Sequence, residues 1–334
     1  MKLLHIFSFS LVLAIGLLFT LSCNSCQSGK KAVEAELYSK VSPDFSADSA
    51  YAFIQAQVDF GARVPGTPAH KACGDYLSSK LENYGATVME QRAEITHYDG
   101  KNLTIRNIIG SWNPENEKRV LLFAHWDSRP FADEETDIRR QQQPIAGADD
   151  GGSGVGVLLE IARQLHQRPV EVGIDIIFFD LEDWGQPLFD ENPVQGDWWC
   201  LGSQYWAEQP HVENYEAAYG ILLDMVGANN ATFLKEGYSM QYAPGVVEKI
   251  WSTASRLGYG SHFLSRSGGY ITDDHVPVNT HQRAPSVDII NLKGDTRTGF
   301  APHWHTLLDD MRNIDRHTLK VVGQTVLEVI YTEK

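Results

Sequence analysis

Cysteine is scarce in this chain: four residues in 334, at positions 23, 26, 73 and 200. The one CxxC, Cys23-Asn24-Ser25-Cys26, lies within the first 30 residues. Beyond it there is no CxxC and no Cys/His ribbon spacing, which argues against a cysteine-built zinc centre in the body of the protein. Cys73 and Cys200 are left to the body of the protein. They can pair or stand as buried free thiols, because spacing in sequence does not set separation in space. Basic residues are also few, 28 Lys and Arg against 43 Asp and Glu, for a net charge of -15. That balance excludes a nucleic-acid binder, which needs a basic surface to meet phosphates. GxGxxG is missing, so there is no dinucleotide loop. Ser153 does not have glycine at both flanking i±2 positions, so there is no nucleophile elbow. There is no internal repeat and no linker inside 43–334. What remains, 43% hydrophobic and 21% charged residues, is the composition of an ordinary globular enzyme.

A long apolar run stands at the start, from Leu3 to Thr20 behind Lys2, and closes with Leu21-Ser22-Cys23. A charged start, an apolar stretch, small residues and then cysteine form a secretory signal with a lipoprotein-type end. Cys23 is therefore expected to be the lipidated first residue of the mature protein, although Thr20 stands where such signals usually carry Leu. Cys26 is a second candidate with poorer flanks, and the alternative is that the apolar stretch is a retained membrane anchor. Residues 1–22 are expected to be the signal, 23–42 a polar tether and 43–334 a single catalytic domain. The lipid would anchor the protein in a bacterial cell envelope, facing the periplasm or the outer surface.

Beyond the tether, helical and strand patterns alternate. A helix capped by Asp48 or Ser49 runs to residue 57, and another spans 70–83 before the stop signal Gly85. Strands are expected at 86–94, 103–109 and 119–125. Residues 129–147 read as a polar surface loop crossing the mouth of a site. A helix at 155–166, a strand at 173–180, a loop at 186–196 and a helix at 203–209 follow. Then come a strand at 218–225, a helix at 244–257, a strand at 286–292 and a closing helix at 316–331. The alternation predicts an α/β fold, a three-layer sandwich with a central mixed, mostly parallel sheet flanked by helices. Sites in such sheets lie at the carboxyl ends of the strands.

Metal-type residues fall at those ends. His125 and Asp127 close LLFAHWDS, and in an extended segment two such residues share one side. Asp149 and Asp150 precede a glycine-rich turn into a helix, where they can cap the helix or do chemistry. Glu182 and Asp183 follow the apolar run 176–179, and adjacent side chains point in different directions. One of them can bind a metal while the other carries a proton. Asp224 ends the apolar run 221–223, a costly place for an unpaired charge. Asp273, Asp274 and His275 lie in what reads as a solvated loop. Trp304 beside His305 puts an aromatic wall next to an imidazole.

In order, the blocks AHWDS, GADDGGSG with VLLE, FFDLED, CLGSQYWA, LLDMVGA with NATF, DDHVP and HWHT with LLDDMRNID resemble the zinc-dependent glutaminyl-peptide cyclotransferases. The resemblance is to the type built on the zinc aminopeptidase fold, in its bacterial branch, and covers residues from about 45 to 334. It implies conversion of N-terminal Gln of exported peptides and proteins to pyroglutamate, with one zinc per chain and a monomeric enzyme. It implies Asp150, rather than Asp149, with Asp183 and His305 as zinc ligands. Glu182 would be the proton shuttle, Asp224 and Asp273 its acidic support, and Trp304 the wall of the substrate pocket. His125 and Asp127 would orient these groups or serve a second metal. Animal members carry Glu where this chain has Asp183, and His where it has Asp288. The alternative is a two-zinc aminopeptidase of the same fold, since His125 and Asp224 match metal ligands there. A catalytically dead binding module is disfavoured by the retention of Glu182 and every zinc-ligand candidate.

Overall fold

The computed structural model describes residues 38–334. The expected signal segment, Cys23 and most of the expected tether lie outside the described residues. Ala47–Asp59 (α1) and Pro68–Asn83 (α2) precede three strands, Thr87–Thr96 (β1), Asn102–Trp112 (β2) and Arg119–His125 (β3). Gly152–Gln167 (α3), Gly173–Phe179 (β4), Leu201–Glu208 (α4) and Tyr219–Asp224 (β5) form the middle of the chain. The last third holds Phe233–Lys235 (β6), Gly237–Tyr242 (α5), Pro244–Arg256 (α6), Phe263–Ser267 (β7), His275–Thr280 (α7), Ser286–Ile290 (β8) and Arg316–Tyr331 (α8).

Six strands form one sheet in the order β1-β2-β4-β3-β5-β8. β3 pairs in parallel with β4 and β5, and β5 in parallel with β8, while β1, β2 and β4 pair antiparallel. The central strands RVLLFAH, GIDIIFF and YGILLD are buried along their whole length, as strands covered on both faces must be. Their side chains alternate between two cores. Leu122, Ile176, Phe178 and Ile221 face the core shared with α1, α3, α6 and α8. Leu121, Ile177, Phe179 and Leu222 face Trp206 of α4 and Val278 of α7. Helix, sheet and helix layers follow directly from this period of two. At the edge, β1 is only half-buried and carries Glu90, Arg92 and Glu94, charges that discourage pairing with another chain.

Several boundaries differ from the sequence reading. Ser46, not Asp48 or Ser49, caps α1 by accepting the N–H of Ser49. Thr67 caps α2 through the N–H of His70, so that helix begins at Pro68. The folded body also starts earlier than residue 43. The buried carboxylate of Glu328 on α8 accepts bonds from the Tyr38 hydroxyl at 2.6 Å, the Ser42 hydroxyl at 2.6 Å and the N–H groups of Val41 and Ser42. A buried carboxylate needs such donors, and they come from what reads as tether. Cys73 and Cys200 are both buried and both free.

Candidate active site

Because β3, β4 and β5 run in parallel, their carboxyl ends deliver side chains to one edge of the sheet. His125 is the last residue of β3 and Asp224 the last of β5. Asp150 arrives on the turn into α3. Neither Asp149 nor Asp150 caps that helix. Gly151 holds the cap position at φ 79, and a Cβ there would sit 2.8 Å from the carbonyl of Asp127. Only glycine takes that backbone cheaply, and its turn frees Asp150 to point into the site. Gly154, one turn on, packs so closely that a Cβ would meet the carbonyl of Leu223 at 2.0 Å.

Asp127 organises the turn after β4. Its two carboxylate oxygens accept the N–H groups of Glu182 and Asp183, each at 3.2 Å. One of them also stands 3.4 Å from His125 Nδ1. Leu181, just before the two acids, has φ 54, and Cys200, Met225 and His305 around the same site have φ 56, 47 and 53. Left-handed backbone at bulky residues costs on the order of 1–3 kcal/mol each and persists where neighbours over-determine it. Here Cys200 donates its N–H to the carbonyl of Glu182 at 2.9 Å, and Leu201 donates to that of Leu181 at 3.0 Å.

Asp150, Asp183 and His305 each bring one ligand atom into a group no wider than 4.8 Å. His305 Nε2 lies 3.2 Å from Asp183 Oδ1 and 3.5 Å from Asp150 Oδ2. Asp150 Oδ2 and Asp183 Oδ2 are buried without a hydrogen-bond partner. Two anionic oxygens and an imidazole that converge in a buried site with no donor to satisfy them fit a divalent cation. His125, Asp150 and Asp224 form a second group of the same kind, sharing Asp150. In it His125 Nε2 stands 3.1 Å from Asp150 Oδ1 and 3.2 Å from Asp224 Oδ1.

Glu182 lies beside these groups without belonging to either. Its Oε1 accepts from the Cys200 thiol at 3.3 Å. Burial pushes its carboxyl well above the ordinary range, His125 opposes the rise, and Asp183 and Asp273 add to it. Burial likewise raises Asp224 to about 6 against the pull of His125. Asp273 is raised by burial and by Asp224. Contrary to the solvated loop expected, Asp273 is 3% exposed and Asp274 fully buried, and His275 begins α7. Asp288 is fully buried with neither carboxylate oxygen bonded.

A cavity of about 260 Å³ opens over this cluster. Glu182, Asp183, Asp224 and Asp273 form its floor, and Trp199, Tyr270, Phe300 and Trp304 its walls. The Trp304 ring stacks on His305 at 3.7 Å between centroids and meets Phe300 at 4.7 Å. Trp199 lies parallel to His305 at 6.2 Å. It rests on Gly185, where a Cβ would come within 1.9 Å of the indole. The sequence reading reaches Trp304 but not Trp199, Tyr270 or Phe300. The Trp198-Trp199 doublet before the CLGSQYWA block is the one signal that could have drawn attention to that wall.

The wall segment 270–273 is held by Glu236. This buried carboxylate accepts the N–H groups of Tyr238 and Ser239 and, at 3.0 Å, that of Ile271, and it stands 3.1 Å from His275 Nε2. Burial alone would raise its pKa. The bond to His275 and the backbone donors more than offset this and hold it at about 2, against an ordinary 4.5. The stability it contributes is therefore complete above pH 4.5 and is lost as pH falls through about 2. Glu236→Gln is expected to melt below the wild type at neutral pH, with the gap closing across that window. Thermal melts of both proteins at a series of pH values check this, and a gap that does not change with pH contradicts it.

The model of peptidase family M28 matches residues 107–330. The chain belongs to that family. It is 60% identical to a Zn-dependent exopeptidase of Parabacteroides distasonis, with a TM-score of 0.86 over 87% of this chain and 99% of that one. It is 55% identical to the glutaminyl cyclase of Bacteroides thetaiotaomicron solved with N-acetylhistamine, again with a TM-score of 0.86, over 88% of this chain and all of the other. It is 28% identical to an aminopeptidase of Bacillus subtilis over 80% of its own length, and spans 54% of that protein. Zinc is the metal this family implies, and the buried carboxylate–imidazole groups fit it.

Proposed function

We propose that the protein is a zinc-dependent glutaminyl-peptide cyclotransferase, which closes an N-terminal Gln to pyroglutamate and releases ammonia. The observation that carries the reading is a compact aromatic pocket with Glu182 and Asp273 on the same floor as the metal group. Likeness to the Bacteroides thetaiotaomicron cyclase over nearly the whole domain supports it.

Asp150, Asp183 and His305 would hold one zinc per chain. Zinc held there would supply Lewis acidity at the γ-carbonyl of the substrate. The γ-amide side chain would lie against Trp304, in a pocket of about 260 Å³. The α-amine of the substrate attacks its own γ-carbon, forming the ring C–N bond. Glu182 takes the proton from that amine and returns it to the departing nitrogen, which leaves as ammonia when the C–N bond of the amide breaks. Burial raises its pKa, which favours a carboxyl that must hold the proton between the two transfers. Asp224 and Asp273 sit across the floor as acceptors for the amide and amine N–H groups. The nucleophile is tethered to the electrophile, so orientation by the pocket supplies much of the acceleration, up to about 7–11 kcal/mol.

A two-zinc aminopeptidase is the second reading, favoured by the His125, Asp150 and Asp224 group. Ammonia release separates the two. A Gln-initiated dipeptide is expected to yield ammonia, the same dipeptide with its amine acetylated none, and a Leu-initiated dipeptide no free amino acid. Free leucine without ammonia would reverse the assignment.

The lipoprotein-type start supports a place in the cell envelope, with the domain held by lipid on Cys23 and acting on exported peptides and proteins that begin with Gln. These points rest on the sequence.

A further inference from the structure

Two of the metal-ligand candidates and one wall of the pocket meet a single buried ion pair. Arg129 and Asp133 are 1% and 4% exposed, at the head of a segment whose sequence reads as a surface loop. Arg129 Nε and Nη2 donate to the two oxygens of Asp133 at 2.7 and 2.6 Å. Its Nη1 donates to the carbonyl of Asp183 at 3.1 Å and lies 3.4 Å from Asp183 Oδ1. The guanidinium stands 4.7 Å from the centre of the Trp199 ring. Asp133 Oδ1 is 3.4 Å from His305 Nδ1. Its other oxygen accepts the N–H of Leu188, at 3.0 Å, from the loop that leads to Trp199.

A neutral imidazole has one N–H and one lone pair. A carboxylate beside Nδ1 keeps the proton there and leaves Nε2 free to ligate, and such partners fix both tautomer and ring angle. The planar fork of Arg serves a carboxylate bidentately and an aromatic face at once, which the ammonium of Lys does not.

We propose that Arg129 and Asp133 are a positioning pair for the site. Asp133 orients His305 toward Asp150 and Asp183, and Arg129 fixes Asp183 and Trp199 against that imidazole. The pair thus ties metal affinity to the shape of the substrate wall. The inference rests on the assignment of Asp150, Asp183 and His305 as the metal set, and it holds whichever reaction the site performs.

Zinc affinity of the chelator-stripped protein, measured against a competing chromophoric chelator, tests the Asp133 half. Asp133→Asn is expected to bind zinc roughly 10–100-fold more weakly. Unchanged affinity would overturn the proposal. Since that variant leaves the Arg129 charge buried without its partner and can fail to fold, Arg129→Gln with Asp133→Asn removes both charges together. Native zinc affinity in a folded double variant would overturn the proposal equally. The Arg129 half is read from a KM-against-kcat split in the zinc-saturated protein. Arg129→Lys is expected to keep most of its kcat and raise KM severalfold for whichever dipeptide the enzyme turns over. A KM equal to that of the wild type would show that Arg129 does not place the wall. Failure of the cyclotransferase reading would leave the zinc measurement standing.

Discussion

Glu182→Gln keeps the fold and the zinc and loses turnover by roughly 10²–10⁴-fold, the range general acid–base catalysis supplies. The amide matches the carboxylate in shape, so packing is preserved, but it can neither take the proton of the α-amine nor return it to the leaving nitrogen. Glu182 lies outside both candidate metal groups that contain Asp150 and instead neighbours Cys200 and Asp273 in a third, so metal analysis is part of the test. Its Oε1 accepts from the Cys200 thiol at 3.3 Å, and its Oε2 stands 3.9 Å from His125 Nδ1. KM is expected to change little, since the side chain acts on the reacting atoms and does not form the aromatic wall. Steady-state kinetics and metal analysis of the purified variant check this. Near-normal turnover would remove Glu182 from the proton path, and loss of zinc together with activity would show that it serves the metal instead.

Asp150→Ala gives the opposite signature, loss of metal first and of activity as a consequence. Asp150 is common to both candidate groups, so its removal strips either a one-zinc or a two-zinc site. Affinity is expected to fall by more than the roughly 10–100-fold typical of changes outside the ligand set. Asp183→Ala belongs to only one group and should weaken zinc binding in a single-zinc enzyme. In a two-metal enzyme it would leave the His125, Asp150 and Asp224 group able to bind. Zinc counted per chain after dialysis separates these cases. Asp150→Ala retaining a full equivalent of zinc would contradict the assignment.

Strands β3, β4 and β5 were legible in the sequence because burial on both faces leaves an unbroken apolar run, and such runs end where the chain leaves the sheet. For β3 and α8 the expected bounds, 119–125 and 316–331, are the observed ones. The polar residues at those ends could therefore be placed at one edge before any coordinates. Burial supplied by distant parts of the chain left no such trace. Asp273 and Asp274 stand among polar neighbours and read as solvated, yet their cover comes from elsewhere in the fold, Asp274 for instance accepting from Ser203 of α4 at 2.6 Å. Arg129 and Asp133 lie in a stretch of mixed charge whose far end is exposed, and nothing local marks the near end as buried. Short elements such as α5 and α7, six residues each, are too brief for a helical period to register. Aromatic residues in loops, Trp199 and Phe300 among them, follow no period, so only the folded chain gathers them around one cavity.

The central claim is the bond that the enzyme makes, and the most direct measurement is the mass of the product from a Gln-initiated peptide incubated with the zinc-loaded protein. A single product, lighter than the peptide by one ammonia and resistant to Edman degradation, is the predicted result. A peptide shortened by its first residue, with free glutamine alongside, would make the enzyme an aminopeptidase and contradict the account.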